Sequence, residues 1–315
     1  MDERYVAGFS MLFIFVFLAL CNFVVCLIIK SSSKLLKQTT YILTLLLAIN
    51  DLLACSFWGV GHSLSVVFVG PCPIDMQPAR YDIMCQWFGA FCWFFVYSSP
   101  VGQAAIAVNR FMAVFAPFAY KKSFTRSNAV LVWIVAVWIP VFILIVGIGG
   151  SRITGGFQPI RGLGLCMPNL KDIVWKLMIE SLFVFFPSLI MLSSYVAIFI
   201  RLRYVGNGTT KADLTRRAKG TKMMFWCFIA FVLCTIPPPL YFQKPINSTA
   251  RVLGAYLVVG WFGLSYGVNL FFYLCCNATF RTEAKCALSA VKETFRKNDV
   301  SELPKSSVVG SIRTN

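Results

Sequence analysis

The stretch "IMCQWFGAFCWFFVYSSPVGQAAIAVNR" runs from Ile83 to Arg110, twenty-seven residues without a fixed charge followed by a guanidinium. A helix crosses the hydrocarbon of a bilayer with about 20 mostly apolar residues. The stretch is therefore long enough to span, and Arg110 marks the rim where it leaves. A long arginine stem can lie along apolar surface while its head reaches the headgroups. The residue before it is Asn109, not an acid, so the charge has no carboxylate beside it in sequence.

The rest of the chain repeats this pattern. Of 315 residues, 58% are hydrophobic and only 13% charged, whereas a soluble domain averages about a quarter charged. Seven apolar windows of spanning length follow one another: 9–29, 41–69, 83–108, 127–151, 177–200, 223–243 and 252–276. Windows 9–29, 83–108, 127–151 and 223–243 hold no ionisable group other than cysteine or tyrosine. The expected fold is an all-α membrane protein, a seven-transmembrane helix bundle.

Lysine and arginine set the orientation. With the N-terminus outside, the inner segments 30–40, 110–126, 201–222 and 277–315 hold 21 of the 29 basic residues. The inner face then carries +16 and the outer +2, with Asp51 between them, which sums to the net +17. The basic balance is thus positive-inside bias at a lipid surface, not a nucleic-acid signal. The expected address is the plasma membrane, with a cytoplasmic C-terminus. The N-terminal "MDERYVAGFS" shows no basic leader, so the first window reads as a retained helix. Residues 1–296 form the expected membrane domain, with a surface helix over about 277–296. The polar stretch 297–315 is expected to be a disordered tail.

Ionisable groups inside a span are costly and mark function by default. Asp51 lies mid-window in "LLLAINDLLA", His62 in the outer half of the same window, and Glu180 near the outer end of the fifth. Asn22, Gln103 and Asn269 are uncharged, and interhelical hydrogen bonding is the plainer reading of them. A single histidine cannot build a histidine metal cluster. No HExxH, G-x-S-x-G or P-loop motif is present, so no enzyme is expected. No charge ring or carbonyl-filter motif supports a channel.

The chain to about residue 296 resembles a rhodopsin-like (class A) G-protein-coupled receptor. "NRFMAVFAPFAY" resembles that family's D-R-Y-x-A-V-x-x-P-x-x-Y signature, with Arg110, Ala113, Val114, Pro117 and Tyr120 in place. Asn22, Asp51, Pro187 and Asn269 stand at the marker positions of helices one, two, five and seven. Tyr195 follows Pro187 by eight, "FVLCTIPP" keeps Phe231, Cys234 and Pro237, and "NLFFY" keeps Asn269 and Tyr273. Phe280 stands where the family begins its surface helix. The departures are Asn109 for the acid, Thr235 for the sixth-helix tryptophan, Leu270 for the seventh-helix proline, and Pro100 inside the third helix. This mixture resembles the divergent nematode serpentine chemoreceptors of class X.

The resemblance implies binding of an extracellular ligand and activation of a heterotrimeric G protein. Asn109, Arg110, Pro117, Tyr120, Tyr195, Phe231, Pro237, Asn269 and Tyr273 would form the activation switch and coupling face. Cys92, Trp93, Val96, Glu180, Phe183, Thr235 and Tyr266 would line the ligand site. Lys176 lies one turn before Glu180, so an internal pair is the plainer reading of that acid. A small, largely apolar chemosensory molecule is the expected ligand, with a neuropeptide receptor as the alternative. A seven-helix ligand-gated channel or transporter is the rival class. The family pattern pairs Cys85 with Cys166 and leaves Cys72 over. Asp51, Ser99, Ser265 and Asn269 would hold a sodium ion, against the plainer reading of a protonated, hydrogen-bonded Asp51. Asn247 is a glycosylation candidate and Cys286 a palmitoylation candidate. With Asn109 before Arg110 and Arg217 facing it from the sixth helix, the switch would lack both charged restraints.

Overall fold

A computed structural model of the chain describes residues 3–64, 66–67, 78–150, 156–159, 166–168, 173–204, 225–241 and 249–301. Five helical spans are long and apolar enough to cross a membrane: Tyr5–Ser31, Thr39–Leu64, Cys85–Phe115, Arg126–Ile148 and Leu177–Tyr204. A sixth apolar helix covers Phe225–Thr235, and a seventh runs Thr249–Cys276 with a bend of 41° between Gly254–Gly267 and Asn269–Cys276. These seven segments form the bundle, and the surface helix Ala278–Ser301 follows. Short π-helical stretches interrupt the second, fourth and fifth spans at Ala54–Val60, Ile134–Trp138 and Ser181–Phe185.

Several boundaries differ from the sequence expectation. The third helix starts at Pro78 and ends at Phe115, beyond the expected 83–108. It runs unbroken through Pro100. The sixth window is not one helix. It bends at Ile236 and resumes as Pro237–Tyr241, since three successive prolines cannot donate to the ladder. The surface helix continues to Ser301, five residues past its expected end at 296 and into the expected tail.

Burial divides the bundle into two apolar cores along its length. One gathers Phe15, Trp58, Trp93, Phe183 and Tyr266 and reaches Phe157 of a small hairpin at one end. The other gathers Leu43, Trp133, Tyr195, Phe231 and Tyr273 and reaches Leu35 and Phe280 at the other. Between them lies a buried polar layer that includes Asp51, Ser99, Ser265 and Asn269. Much of the remaining apolar surface faces outward, such as Phe13 at 75% and Phe142 at 59% exposed, as lipid-facing positions do.

Two close contacts fix helix packing. A Cβ on Gly102 would overlap the ring of Trp133, so only glycine lets the third and fourth helices approach there. Asn22 donates through Nδ2 to the carbonyl of Tyr266 at 3.0 Å and to that of Leu18 at 3.1 Å, tying the first helix to the seventh. The hydrogen-bonding reading of Asn22 is the observed one.

Candidate functional site

The Arg110 end draws on the second, third, fifth and seventh helices and on the short helix after the third. The third helix carries Asn109 and Arg110, and Ala116 breaks it before Pro117 opens a short helix, Pro117–Ser123. Proline at a first helical position costs no hydrogen bond. That turn brings Tyr120 back beside Asn109. Asn109 is 1% exposed, and its Oδ1 accepts from the hydroxyls of Thr40 at 3.1 Å and Tyr120 at 3.4 Å. Its Nδ2 and the neighbouring Arg110 Nε are both buried without a hydrogen-bond partner. Two adjacent donors therefore face no acceptor, and no acid pairs with Arg110 among the described residues.

A chain of hydrogen bonds continues along the second helix from this point. Thr44 Oγ1 donates to the Thr40 carbonyl at 3.0 Å, so its one proton is used. The 2.8 Å contact between Thr44 and Tyr273 is then a bond donated by the Tyr273 hydroxyl. Tyr195 and Tyr273 are both buried and both lie within the electrostatic reach of Arg110. A cavity of about 20 Å³ lies between them, lined also by Gln103, Met191, Phe228 and Asn269. That is room for about one water molecule. Phe231 packs in the same core, and Pro237 stands just past the bend of the sixth segment.

In the polar layer, Asn269 Nδ2 donates to Asp51 Oδ2 at 3.3 Å. Asp51 Oδ1, Asn50 Oδ1 and Ser99 Oγ are buried without a partner, while Ser265 Oγ donates to the Phe262 carbonyl at 2.7 Å. The unpartnered set is made of oxygens, one of them a carboxylate. That is the donor set a hard cation such as sodium takes, so the residues fit the ion. Asp51, Ser99, Ser265 and Asn269 would hold it, and it would neutralise the buried carboxylate.

At the other end, Cys85 and Cys166 form the disulfide, with Cα atoms 5.5 Å apart. Cys166 lies on β2 (Cys166–Pro168), which pairs antiparallel with β1 (Phe157–Pro159). Trp93 Nε1 donates to the Cys166 carbonyl at 2.9 Å, so this hairpin sits on the third helix. Cys92, Trp93, Val96, Phe183 and Tyr266 are all buried in the core below it. Phe183 stacks on Tyr97 with centroids 4.5 Å apart, and Glu180 is near enough to act on Tyr97 electrostatically. Thr235 is buried but bonds its own helix, at the Phe231 carbonyl. Cys286 is exposed on the surface helix. Asn247, Cys72 and the Lys176 side chain lie outside the described residues.

A family model described as "7 transmembrane receptor (rhodopsin family)" matches residues 21–266. The chain is a member of the rhodopsin-like G-protein-coupled receptor family. It is 25% identical over 224 residues to the substance-K receptor of Rattus norvegicus, covering 63% of this chain and 56% of that one. It is 27% identical over 232 residues to the neuromedin-K receptor of Oryctolagus cuniculus, covering 66% and 48%, and likewise to that of Homo sapiens, covering 66% and 49%. The receptor thus spans about half the length of the relatives it matches.

Some residues of this receptor carry structure that sequence reading left out. Thr40 and Thr44 join these hydrogen bonds but look like ordinary helix-start threonines in sequence. Ser32 bonds Glu283 Oε2 at 2.8 Å, and Lys34 lies 3.6 Å from the same carboxylate, which fastens the turn after the first helix to the surface helix. Asn277 caps that helix at the Phe280 amide and bonds the Tyr41 hydroxyl at 2.9 Å. Spacing alone signals none of these cross-helix pairs.

Proposed function

We propose that the protein receives an extracellular peptide and passes the signal to a heterotrimeric G protein at its Arg110 end. The observation that carries the reading is Arg110, whose Nε has no partner and which meets no acid among the described residues, within electrostatic reach of Tyr195 and Tyr273, on a chain of the receptor family. The N-terminus lies outside the plasma membrane. Lysine and arginine then concentrate at the inner face, and the disulfide sits in an oxidising space. A ligand acts only through its differential affinity for the signalling arrangement. In this family's mode the sixth helix swings outward and opens a crevice beside Arg110 for the G protein.

Receptors for substance K and neuromedin K among the relatives favour a peptide over the small chemosensory molecule first expected. Glu180, within electrostatic reach of Tyr97, is the acid this reading assigns to a cationic group of the ligand, in exchange for whatever it meets in the unliganded receptor. The test is a peptide and small-molecule panel on cells carrying a G-protein sensor set. A peptide response lost in Glu180→Gln at equal surface level supports the reading. A response to small apolar molecules alone refutes the peptide assignment.

The polar layer adds a second proposal, sodium held by Asp51, Ser99, Ser265 and Asn269. Its support is the buried, unpartnered oxygens of Asp51 and Ser99. Without the ion, the donor shown to Asp51 among the described residues would be Asn269 Nδ2.

A further inference from the structure

The sequence "CTIPPPLY" places three prolines in a row inside the sixth window, Pro237 to Pro239. A helical amide donates to the carbonyl four residues earlier, and proline has no amide proton. The carbonyls of Leu233, Cys234 and Thr235 therefore have no backbone donor from these positions. In a bilayer an unsatisfied carbonyl is costly, because no water replaces the lost partner.

The carbonyl of Leu233, the one Pro237 leaves behind, is taken by another helix. Trp261 of the seventh helix donates its indole Nε1–H to Leu233 O at 3.1 Å. Indole nitrogen is a donor only, so the match is of the right polarity. Trp261 is 48% and Leu233 60% exposed, which puts the bond on the lipid-facing seam between the two helices. Two other groups near the bend serve their own helix. Thr235 Oγ1 donates to Phe231 O at 2.9 Å and Ile236 N to Val232 O at 3.1 Å.

The bend at Ile236 joins two segments across a gap in the ladder, so turning one against the other breaks few backbone bonds. The indole bond crosses that joint. A swing of Phe225–Thr235 away from the seventh helix must pull Leu233 O off Trp261. We infer that Trp261 is a positioning residue for the sixth-helix joint, holding the Phe225–Thr235 segment in the quiet arrangement by bonding the carbonyl that Pro237 orphans. The inference rests on the receptor reading above for its consequence in signalling, but the joint itself can be measured without a G protein.

The experiment uses the full chain in lipid nanodiscs and in cells at matched surface level. Trp261→Phe keeps an aromatic ring and removes the donor. Pro237→Ala restores an amide that can bond Leu233 O from within the helix. Hydrogen exchange should quicken over Leu233–Ile236 in Trp261→Phe, and ligand-free signalling should rise about twofold to tenfold, the equivalent of one hydrogen bond. In the Pro237→Ala background the same change should have little effect on either readout, because the carbonyl has its own donor. Exchange unchanged by Trp261→Phe, or an equal effect of it in both backgrounds, would overturn the inference. So would ligand-free signalling that stays level or falls. Absence of G-protein signalling from the wild type would instead refute the receptor reading, and exchange would still decide the role of the joint.

Discussion

Replacing Asn109 by aspartate should quieten the unliganded receptor. The side chain is 1% exposed, and its Oδ1 already accepts from Thr40 and Tyr120. Aspartate keeps that acceptor, so both hydroxyl bonds survive. It replaces the orphaned Nδ2 donor with a carboxylate oxygen next to Arg110, whose Nε is also orphaned. Relieving a buried, unsatisfied donor is worth about 1–3 kcal/mol, and a charge-assisted bond is about twice as strong as a neutral one. Desolvation of the carboxylate takes part of this back. A net gain of about 1–2 kcal/mol for the quiet arrangement lowers the signalling population roughly 5- to 30-fold. The assay is ligand-free nucleotide exchange on a co-expressed G protein, with surface receptor counted by an N-terminal tag. Basal exchange in Asn109→Asp equal to or above wild type would refute the reasoning.

Three other outcomes follow from the packing and the polar layer. Asn22→Leu loses the bonds to Tyr266 and Leu18 and should cost about 1–2 kcal/mol, seen as a lower melting temperature in detergent, where an unchanged value would contradict it. Gly102→Val should lower surface expression, since overpacking against Trp133 costs about 1–3 kcal/mol, and Trp133→Phe in the same chain should recover part of it. If sodium binds at Asp51, replacing sodium with a bulky organic cation at constant ionic strength should shift agonist affinity in the wild type and leave Asp51→Asn unmoved. Equal shifts in both would remove the ion from that site.

The spans were legible because length and apolarity are properties of a window, and seven of them stand in order. The Cys85–Cys166 bridge was legible only through the family pattern, since spacing alone leaves Cys72 as a competitor. The ends of the third helix were not legible: beyond the hydrocarbon, hydropathy no longer marks where a helix stops. The sixth window read as one apolar helix although its prolines break it at Ile236, because apolarity and backbone donors are separate properties. The partners of Asn109 were half legible. Tyr120 belongs to the motif, but Thr40 depends on the rotation of the second helix, and a helix apolar on most faces carries no periodicity that fixes rotation. The Trp261–Leu233 bond was hidden for the same reason. It needs the register between two helices, which neither sequence holds alone.

The proposed coupling of the Arg110 end to a G protein underlies the whole functional reading. The direct measurement is nucleotide exchange on a panel of purified Gα proteins by the receptor reconstituted in nanodiscs. The expected result is exchange by at least one member well above empty nanodiscs, raised by ligand and abolished by Arg110→Ala with surface fold intact by tryptophan emission. Exchange at the empty-nanodisc level for every member, together with ion current through the same protein in planar bilayers, would contradict it.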